Sequence, residues 1–408
     1  MRIVQITNSV CAAAEVNQLS GLYRVVTQLS RFFVYQCGDV CFNGYLYDDH
    51  LKRADYFSDG ILLDAPDFPK FSAFLKENSI DIILINLSFY PKYIQDISKL
   101  CEIGHKHGVK VIQCFHSMPG SESVSHGSWE EVLYHLSVKE KVWDKTKKYL
   151  ISALQPYSRK IVSSIIKQRY LKPYQCTDKI VLFSEPYIDR YLQIIHKKER
   201  DKFAIIPNPL PFPEILPKDE IAKKRKEVIV VGRTREPDKR LSYALKIWKL
   251  VESNPQLNDW TLSIIGNGYD ENFYHWLAKK YNLSRISFVG HQDPRPYYRR
   301  ASILMSTSSY EGWPMIFMEA MPMGCCCLAF DSYDSVHDIF RDGHDGCIVA
   351  ENDFQGYYER MASLMSDEEK RIQMGMNAID SSARFSMEII GNRWKELFEK
   401  VVQEEVKE

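Results

Sequence analysis

The chain has 408 residues, with 53 lysines and arginines against 53 acidic residues. That length exceeds one ordinary core and fits two domains of about 200 residues each. Zero net charge excludes a polyanion binder, and the absence of any apolar run of about 18 residues excludes a membrane span.

The opening MRIVQITNSVCAAAEVNQLSGLYRVV has no sustained apolar core of the kind a secretory signal needs, so it is read as mature structure, a buried strand followed by a loop and a helix. Short apolar runs then alternate with helical patterns along most of the chain, which predicts parallel sheets built from βαβ units. In the first half the candidate strands are residues 2–7, 40–46, 81–86, 109–115, 179–183 and 203–206. The passage PNPLPFPEILP at 207–217 cannot continue a helix or a central strand, and it is the candidate linker. Strands resume at 228–231, 262–265, 286–289, 303–305, 325–329 and 347–349. The fold class is therefore α/β, with two doubly wound domains at 1–217 and 218–385. Residues 386–408 form a last amphipathic helix carrying Trp394, Leu397 and Phe398.

The ten cysteines include no CxxC pair. Many fall inside predicted strands as small hydrophobes, and the absence of a disulfide or zinc framework suits a reducing cytoplasm. Residues 139–172 hold ten lysines or arginines against two acids, a net +8, with Trp143, Tyr149, Tyr157 and Tyr170 interleaved and Pro156 between two predicted helices. Two readings stay open here: a basic amphipathic segment lying on an anionic membrane surface, or a solvated helical insertion covering the first sheet.

Open parallel sheets bind ligands beyond the carboxyl ends of their strands, so two such domains would frame a cleft, and the loops there are candidate sites. Ser20 and Gly21 precede a helix at 22–33; a glycine there either lets backbone approach a ligand or simply makes a turn. His116 leaves the strand at 109–115, either as a site residue or as a structural histidine. After residues 228–231 comes GRTREPDKR: Gly232 permits a sharp exit, and Arg233 with Lys239 suits a diphosphate, as a fork and a point charge. The alternative is a solvated basic loop, since Arg235 and Arg240 are charged too. Gly266 and Asn267 open a further glycine turn, GNGY, which is a weak signal alone. The densest stretch is SSYEGWPMIFMEAMPMG at 308–324. Pro314 is placed at the first position of a helix, with Glu311 in the loop before it and Glu319 about five residues inside, roughly 7 Å along the axis. Backbone N–H groups at that helix start offer an anion site.

As a set, GRTREPDKR, IIGNGY, SFVG with HQDPRPYYRRAS, and SSYEGWPMIFMEAMPMG resemble the nucleotide-sugar half of the group 1 glycosyltransferases, retaining enzymes of GT-B fold. The first half is similar more loosely, through SGLYRVV, VIQCFHS and DKIVLFSEPY followed by AIIPNP. The resemblance implies two Rossmann-like domains facing across a cleft, with the last helix rejoining the first. It implies phosphate binding by Arg233 and Lys239, a cleft histidine at His116 and a flexible glycine loop at Gly21. Glu311 would lie near the transferred sugar and Glu319 on the ribose. Backbone at Gly232 and Gly266, and from Gly312 through Trp313, Pro314 and Met315 to Ile316, would meet sugar and phosphates, while 289–291, ending at His291, would line the base. The chain departs from the family pattern in its single Gly21, in Pro322 where alanine is usual, and in Cys325, Cys326 and Cys327, changes that imply altered packing behind the site.

The implied donor is a UDP- or GDP-sugar and the implied acceptor a glycan or lipid-linked sugar of surface polysaccharide or glycolipid synthesis, with no nucleic acid partner. No Asp-x-Asp motif stands at a strand end, so no metal is expected, and no nucleophile is named. Two other readings share the fold: a sugar-nucleotide epimerase and a non-catalytic sugar-nucleotide-binding module. A dehydrogenase is disfavoured, because no GxGxxG follows the first strand.

Overall fold

The computed structural model describes residues 1–7, 21–46, 60–63, 69–87, 91–121, 134 and 155–404. They divide into two compact units: Met1–Pro119, Arg159–Pro211 and Phe385–Glu408 in the first, and Gly120–Ser158 with Phe212–Arg384 in the second. The proline-rich passage at 207–217 thus holds one of the crossings between units.

The first unit is built on a parallel sheet of β1 (Arg2–Thr7), β2 (Val40–Leu46), β3 (Gly60–Leu63), β4 (Ile82–Ile85), β5 (Lys110–Cys114), β6 (Lys179–Leu182) and β7 (Phe203–Ile205). Their spatial order is β3-β2-β1-β4-β5-β6-β7. All four residues of β4 are fully buried, as expected of a strand covered on both faces. β3 has no counterpart among the expected strands, because a four-residue GILL run carries too little pattern to be read by periodicity.

The helix Gln155–Cys176 carries the later part of the basic segment; residues 135–154, Trp143 and Tyr149 among them, lie outside those described. Its Tyr170 is fully buried, with ring centroids 5.5 Å from Phe115 and 5.0 Å from Tyr191. That residue therefore belongs to the core rather than to a surface stripe. Among the described residues no helix is long and apolar enough to cross a membrane.

The helix Met387–Gln403 packs within the first unit. Ser386 caps it by accepting from the Ile389 N–H, and Ile390, Trp394, Leu397, Phe398 and Val401 form its buried stripe, at the spacing an amphipathic helix requires. Phe398 lies 5.3 Å from the Phe33 ring. Beside that contact Gly391 leaves room for Phe32, to which an added Cβ would come within 2.5 Å.

The second unit carries β8 (Arg225–Val231), β9 (Thr261–Ile265), β10 (Ile286–Gly290), β11 (Ala301–Ser306), β12 (Cys326–Asp331) and β13 (Cys347–Ala350). The sheet is parallel throughout, in the order β10-β9-β8-β11-β12-β13. Trp248, Trp260, Phe273, Tyr274 and Tyr357 fill its core. The three consecutive cysteines are fully buried at and just before the start of β12, where burial pushes their thiols up and leaves them as small apolar side chains. In each sheet the direction of winding reverses once, between β1 and β4 and between β8 and β11. Loops leaving the carboxyl ends of those neighbours part to opposite faces and open a crevice.

Replacing a helical glycine by alanine ordinarily stabilises by about 1 kcal/mol. At Gly391 the sign reverses, since the methyl group overpacks against Phe32. Gly391→Ala is expected to lower stability by about 1–2 kcal/mol, read as a lower urea midpoint at unchanged m-value.

Candidate functional site in the second unit

The crevice of the second sheet is assembled from the exits of β8, β9 and β11. Gly232 leaves β8 with φ +145° and Gly266 leaves β9 with φ +139°. A Cβ on Gly266 would stand 1.8 Å from the Gly232 carbonyl oxygen, so the two strand ends approach this closely only because Gly266 carries no side chain. The exits are then joined through backbone: Thr234 N–H donates to the Asn267 carbonyl at 3.0 Å, and Asp270 N–H to the Thr234 carbonyl at 3.2 Å. Asp270 also accepts from the Glu236 N–H at 2.9 Å, satisfying a free donor of the one-turn helix Glu236–Lys239. The buried Glu236 accepts from the Ser242 N–H at 3.2 Å, the Tyr274 hydroxyl at 3.0 Å and the Ser242 hydroxyl.

That turn is tied to the exit of β11. Ser309 N–H donates to the Asp238 carbonyl at 2.8 Å and its hydroxyl to the Pro237 carbonyl at 2.8 Å. Thr307 Oγ1 donates to the Lys239 carbonyl at 2.9 Å. Arg240, in the left-handed region at φ +44°, closes the seam. Its Nε donates to the Thr307 carbonyl at 3.1 Å, its Nη2 to the Ser308 carbonyl at 2.9 Å and its Nη1 to Glu351 Oε1 at 2.9 Å. Arg240 is only 8% exposed, so the solvated-loop reading does not hold for this cation.

The seam brings Lys239 and Glu311 together. Glu311 Oε1 accepts from Lys239 Nζ and, at 2.8 Å, from the Ser308 hydroxyl. Arg233 stands at the mouth, exposed, with Nη2 3.5 Å from Asp238. Arg235 pairs with the same carboxylate at 3.2 Å. An open pocket is lined here by Gly232, Arg233, Lys239, Ser306, Ser308 and Ile316 among others. Two cations, one already paired with a partly buried carboxylate, suit a ligand with a strongly anionic part and a hydroxyl-rich part.

Pro314 is the N-cap of the helix Met315–Ala320 rather than its first residue, and its carbonyl accepts from the Phe317 N–H at 3.1 Å. The helix ends at Ala320, and a 3-10 turn over Met321–Met323 leads to Gly324 in the left-handed region. Pro322, lacking an N–H, cannot continue the ladder. Glu319 is the fifth helical residue and is 3% exposed. Gly312, Trp313 and Pro314 are buried and Met315 and Ile316 half-buried, whereas Asn267 and His291 are exposed at the ends of β9 and β10.

Gly21 and His116 belong to the first unit. Gly21 is the first residue of the helix Gly21–Arg31 rather than part of the loop before it, while Ser20 and the rest of 8–20 lie outside the described residues. His116 follows β5, its Nε2 2.9 Å from Asn86 Oδ1 and its ring 5.6 Å from Phe183. Burial of its surroundings lowers its pKa to about 3, so the imidazole is neutral at physiological pH. Asn86, Arg240, Thr307, Ser308 and Ser309 carried no sequence signal as site builders: each is a common polar residue whose role appears only through its partners.

Residues 211–381 match the family model described as group 1 glycosyl transferases. An exopolysaccharide phosphotransferase of Streptomyces coelicolor is 28% identical over 228 residues, 55% of this chain and 24% of that protein. An amylovoran biosynthesis glycosyltransferase of Erwinia amylovora is 28% identical over 181 residues, 44% of this chain and 50% of its own. The aligned stretches thus span a quarter to a half of these relatives' length. Among solved structures, HepE of Anabaena in complex with UDP superposes with a TM-score of 0.69 at 13% identity, covering 98% of this chain and 100% of that one, which shows a shared fold.

Removing the Arg240 side chain leaves buried carbonyls without their charged donor. Arg240→Ala is expected to cost about 3 kcal/mol. Arg240→Gly, which adopts the left-handed backbone freely, should recover about 1 kcal/mol of that. Guanidinium denaturation of the two variants checks both the loss and its order.

Proposed function

We propose that this chain, whose residues 211–381 match the model of the group 1 glycosyl transferases, transfers a sugar from a UDP- or GDP-sugar to a glycan or lipid-linked acceptor, with retention of configuration, in the assembly of a surface polysaccharide or glycolipid. The observation that carries this reading is the Lys239–Glu311 pair held at the switch point beside the exposed Arg233. The amylovoran relative supports the product class. So does a relative in Campylobacter jejuni whose name specifies a diphospho-undecaprenol-linked substrate. The UDP held by the Anabaena structure supports the donor class. The retaining outcome rests on the family resemblance.

Cleavage of a sugar–diphosphate bond leaves negative charge on the departing diphosphate and positive charge at the anomeric carbon. Arg233 and Lys239 stabilise the first, and prearranged cations do so without reorganising as the charge develops. A diphosphate drawing Lys239 toward itself releases Glu311, whose carboxylate then faces the sugar while Ser308 still orients it. Glu319 receives the ribose hydroxyls. The two cations supply the charge stabilisation, and the reaction is written without a divalent ion. His116, neutral at physiological pH, is the cleft histidine that the family resemblance implies. The net +8 of residues 139–172 is suited to an anionic membrane surface carrying a lipid-linked acceptor. Charge reversal at Lys145, Lys147 and Lys148 should then reduce liposome sedimentation, and undiminished sedimentation would remove the membrane from this reading.

Donor turnover tests the assignment. Glu311→Gln is expected to lower kcat about 100-fold with donor affinity nearly unchanged. Glu319→Gln should weaken donor binding about tenfold or more by calorimetry, through a lost charge-assisted hydrogen bond. EDTA should leave turnover unchanged. Glycosyl transfer releases a nucleoside diphosphate, whereas transfer of a sugar phosphate, suggested by the Streptomyces relative's name, releases a monophosphate, so nucleotide chromatography separates the two.

A further inference from the structure

Two cysteines of the first unit meet at the amino end of its sheet, away from the site described above. Cys101 lies on the helix Pro91–Lys106, and Cys176 is the last residue of the helix Gln155–Cys176. Their thiols hydrogen-bond one another, and neither is held in a disulfide. The two are unequal. Cys101 is 1% exposed, whereas Cys176 is half-buried and can be reached from solvent. The other hydrogen bond of Cys176, to the Pro173 carbonyl, is 3.8 Å long, too long to hold its proton firmly. Charge around the pair favours a thiolate on Cys176. Lys202 Nζ donates to the Tyr174 and Thr177 carbonyls at 2.9 Å each, which offsets the negative end of the helix and leaves an ammonium near the sulfur. His105, one turn after Cys101, has Nε2 3.0 Å from Asp178, and that hydrogen bond raises its pKa, so more of it is imidazolium at neutral pH. The Cys101 hydrogen bond lowers the Cys176 thiol against the effect of burial, and His105 and Lys202 add to it. Cys101 moves the other way, raised by the same hydrogen bond, by burial and by the Asp178 carboxylate. The neighbouring Tyr191 is raised by burial and stays neutral. Every other described cysteine is raised as well. Among the described residues no three His, Cys, Asp or Glu side chains stand together as metal ligands, so the pair is read as a dithiol and not as half of a zinc site.

We propose that Cys176 and Cys101 are an oxidisable pair, in which Cys176 takes oxygen from a hydroperoxide and Cys101 closes a disulfide onto it. The Cys176 sulfur attacks the terminal peroxide oxygen: an S–O bond forms, the O–O bond breaks, and the departing alkoxide or hydroxide takes a proton from solvent. Sulfur loses two electrons and the peroxide gains them. The Cys101 sulfur then displaces hydroxide from the sulfenic acid, and the Cys101 proton leaves with it as water. A small thiol reverses the step by exchange, being oxidised in its turn. Exposure assigns the two roles, because the half-buried sulfur meets the oxidant and the buried one, already in contact, resolves it before a second oxidation. The bond would fasten the end of the helix that carries Arg169 and Lys172 to the helix Pro91–Lys106. It involves the first unit alone and is independent of the glycosyltransferase reading.

Peptide mapping of the full chain gives the test. Reduced protein treated with a small excess of hydrogen peroxide, then alkylated and digested, should yield a peptide linked through Cys101 and Cys176 that dithiothreitol separates. In Cys101→Ser the disulfide cannot close, and dimedone should capture the sulfenic acid at Cys176. In Cys176→Ser, Cys101 should stay unoxidised. Without peroxide, iodoacetamide at pH 7 should alkylate Cys176 about tenfold faster than Cys37, the other half-buried cysteine among those described. His105→Gln should slow Cys176 about threefold and leave the rate at Cys37 unchanged, a selectivity that loosened packing would not produce. Peroxide-treated protein in which Cys101 and Cys176 stay unlinked overturns the proposal. So does a Cys101→Ser variant with no dimedone adduct at Cys176, or a Cys176 alkylated no faster than Cys37 in the unsubstituted chain.

Discussion

The second unit depends on one seam, the run of hydrogen bonds that joins the turn after β8 to the turn after β11. Both turns leave the sheet where its winding reverses, so the architecture pulls them apart. Arg240 opposes that by spanning the gap with one planar group, reaching two carbonyls of the β11 exit and Glu351. Lys239 is its sequence neighbour and the last residue of the one-turn helix Glu236–Lys239, which fixes the direction in which the lysine side chain departs. The Lys239–Glu311 contact is therefore a consequence of the seam. A lysine ammonium on four flexible carbons would otherwise lose too much conformational freedom to be held at one carboxylate.

That geometry also gives the pair its chemical meaning. Exposed ion pairs contribute little to stability, a median of about 0–1 kcal/mol. Lys239 and Glu311 retain 24% and 16% exposure, so their mutual attraction is modest and can be exchanged for a stronger partner. A diphosphate carries more charge than one carboxylate and can compete for the ammonium. Arg233, freer and farther out, loses little when it swings from Asp238 to the same anion. The first unit uses the opposite device: the buried hydrogen-bonded chain of Ser30, Gln5 and Asn86 contains hydroxyl and amide groups and ends in the neutral imidazole of His116, so orientation is obtained without charge.

The sequence revealed the fold class and most strands because parallel strands are buried on both faces and appear as apolar runs such as IILI and VIQC. β3 escaped because four residues, GILL, are too few for periodicity to speak. The loops bearing Arg233, Lys239 and Glu311 were located because strand ends in a doubly wound sheet are where loops can meet a ligand, and their spacing resembles a known family. Arg240 was read as one cation too many in a basic loop. Nothing in a one-dimensional pattern separates a guanidinium that hydrogen-bonds buried carbonyls from one in solvent; the carbonyls that Arg240 meets lie nearly 70 positions away. Pro314 was displaced by one position for a local reason, since N-cap and first-turn prolines look alike in sequence and differ only in ψ.

The same contrast explains why His116 stood out while Asn86 and Gln5 did not. A histidine is conspicuous because few residues titrate near neutral pH, yet what the ring can do depends on which nitrogen keeps the proton. That is settled by an amide 30 positions away, itself oriented by an amide 81 positions further back and a serine on the next helix. Each link is a single hydrogen bond that any of several polar residues could have made. Their order matters, because reversing one amide would reverse every link after it and deliver the proton to the other side of the ring. The information that decides the chemistry of His116 thus resides in the direction of a buried chain, a property of four residues together and of none alone.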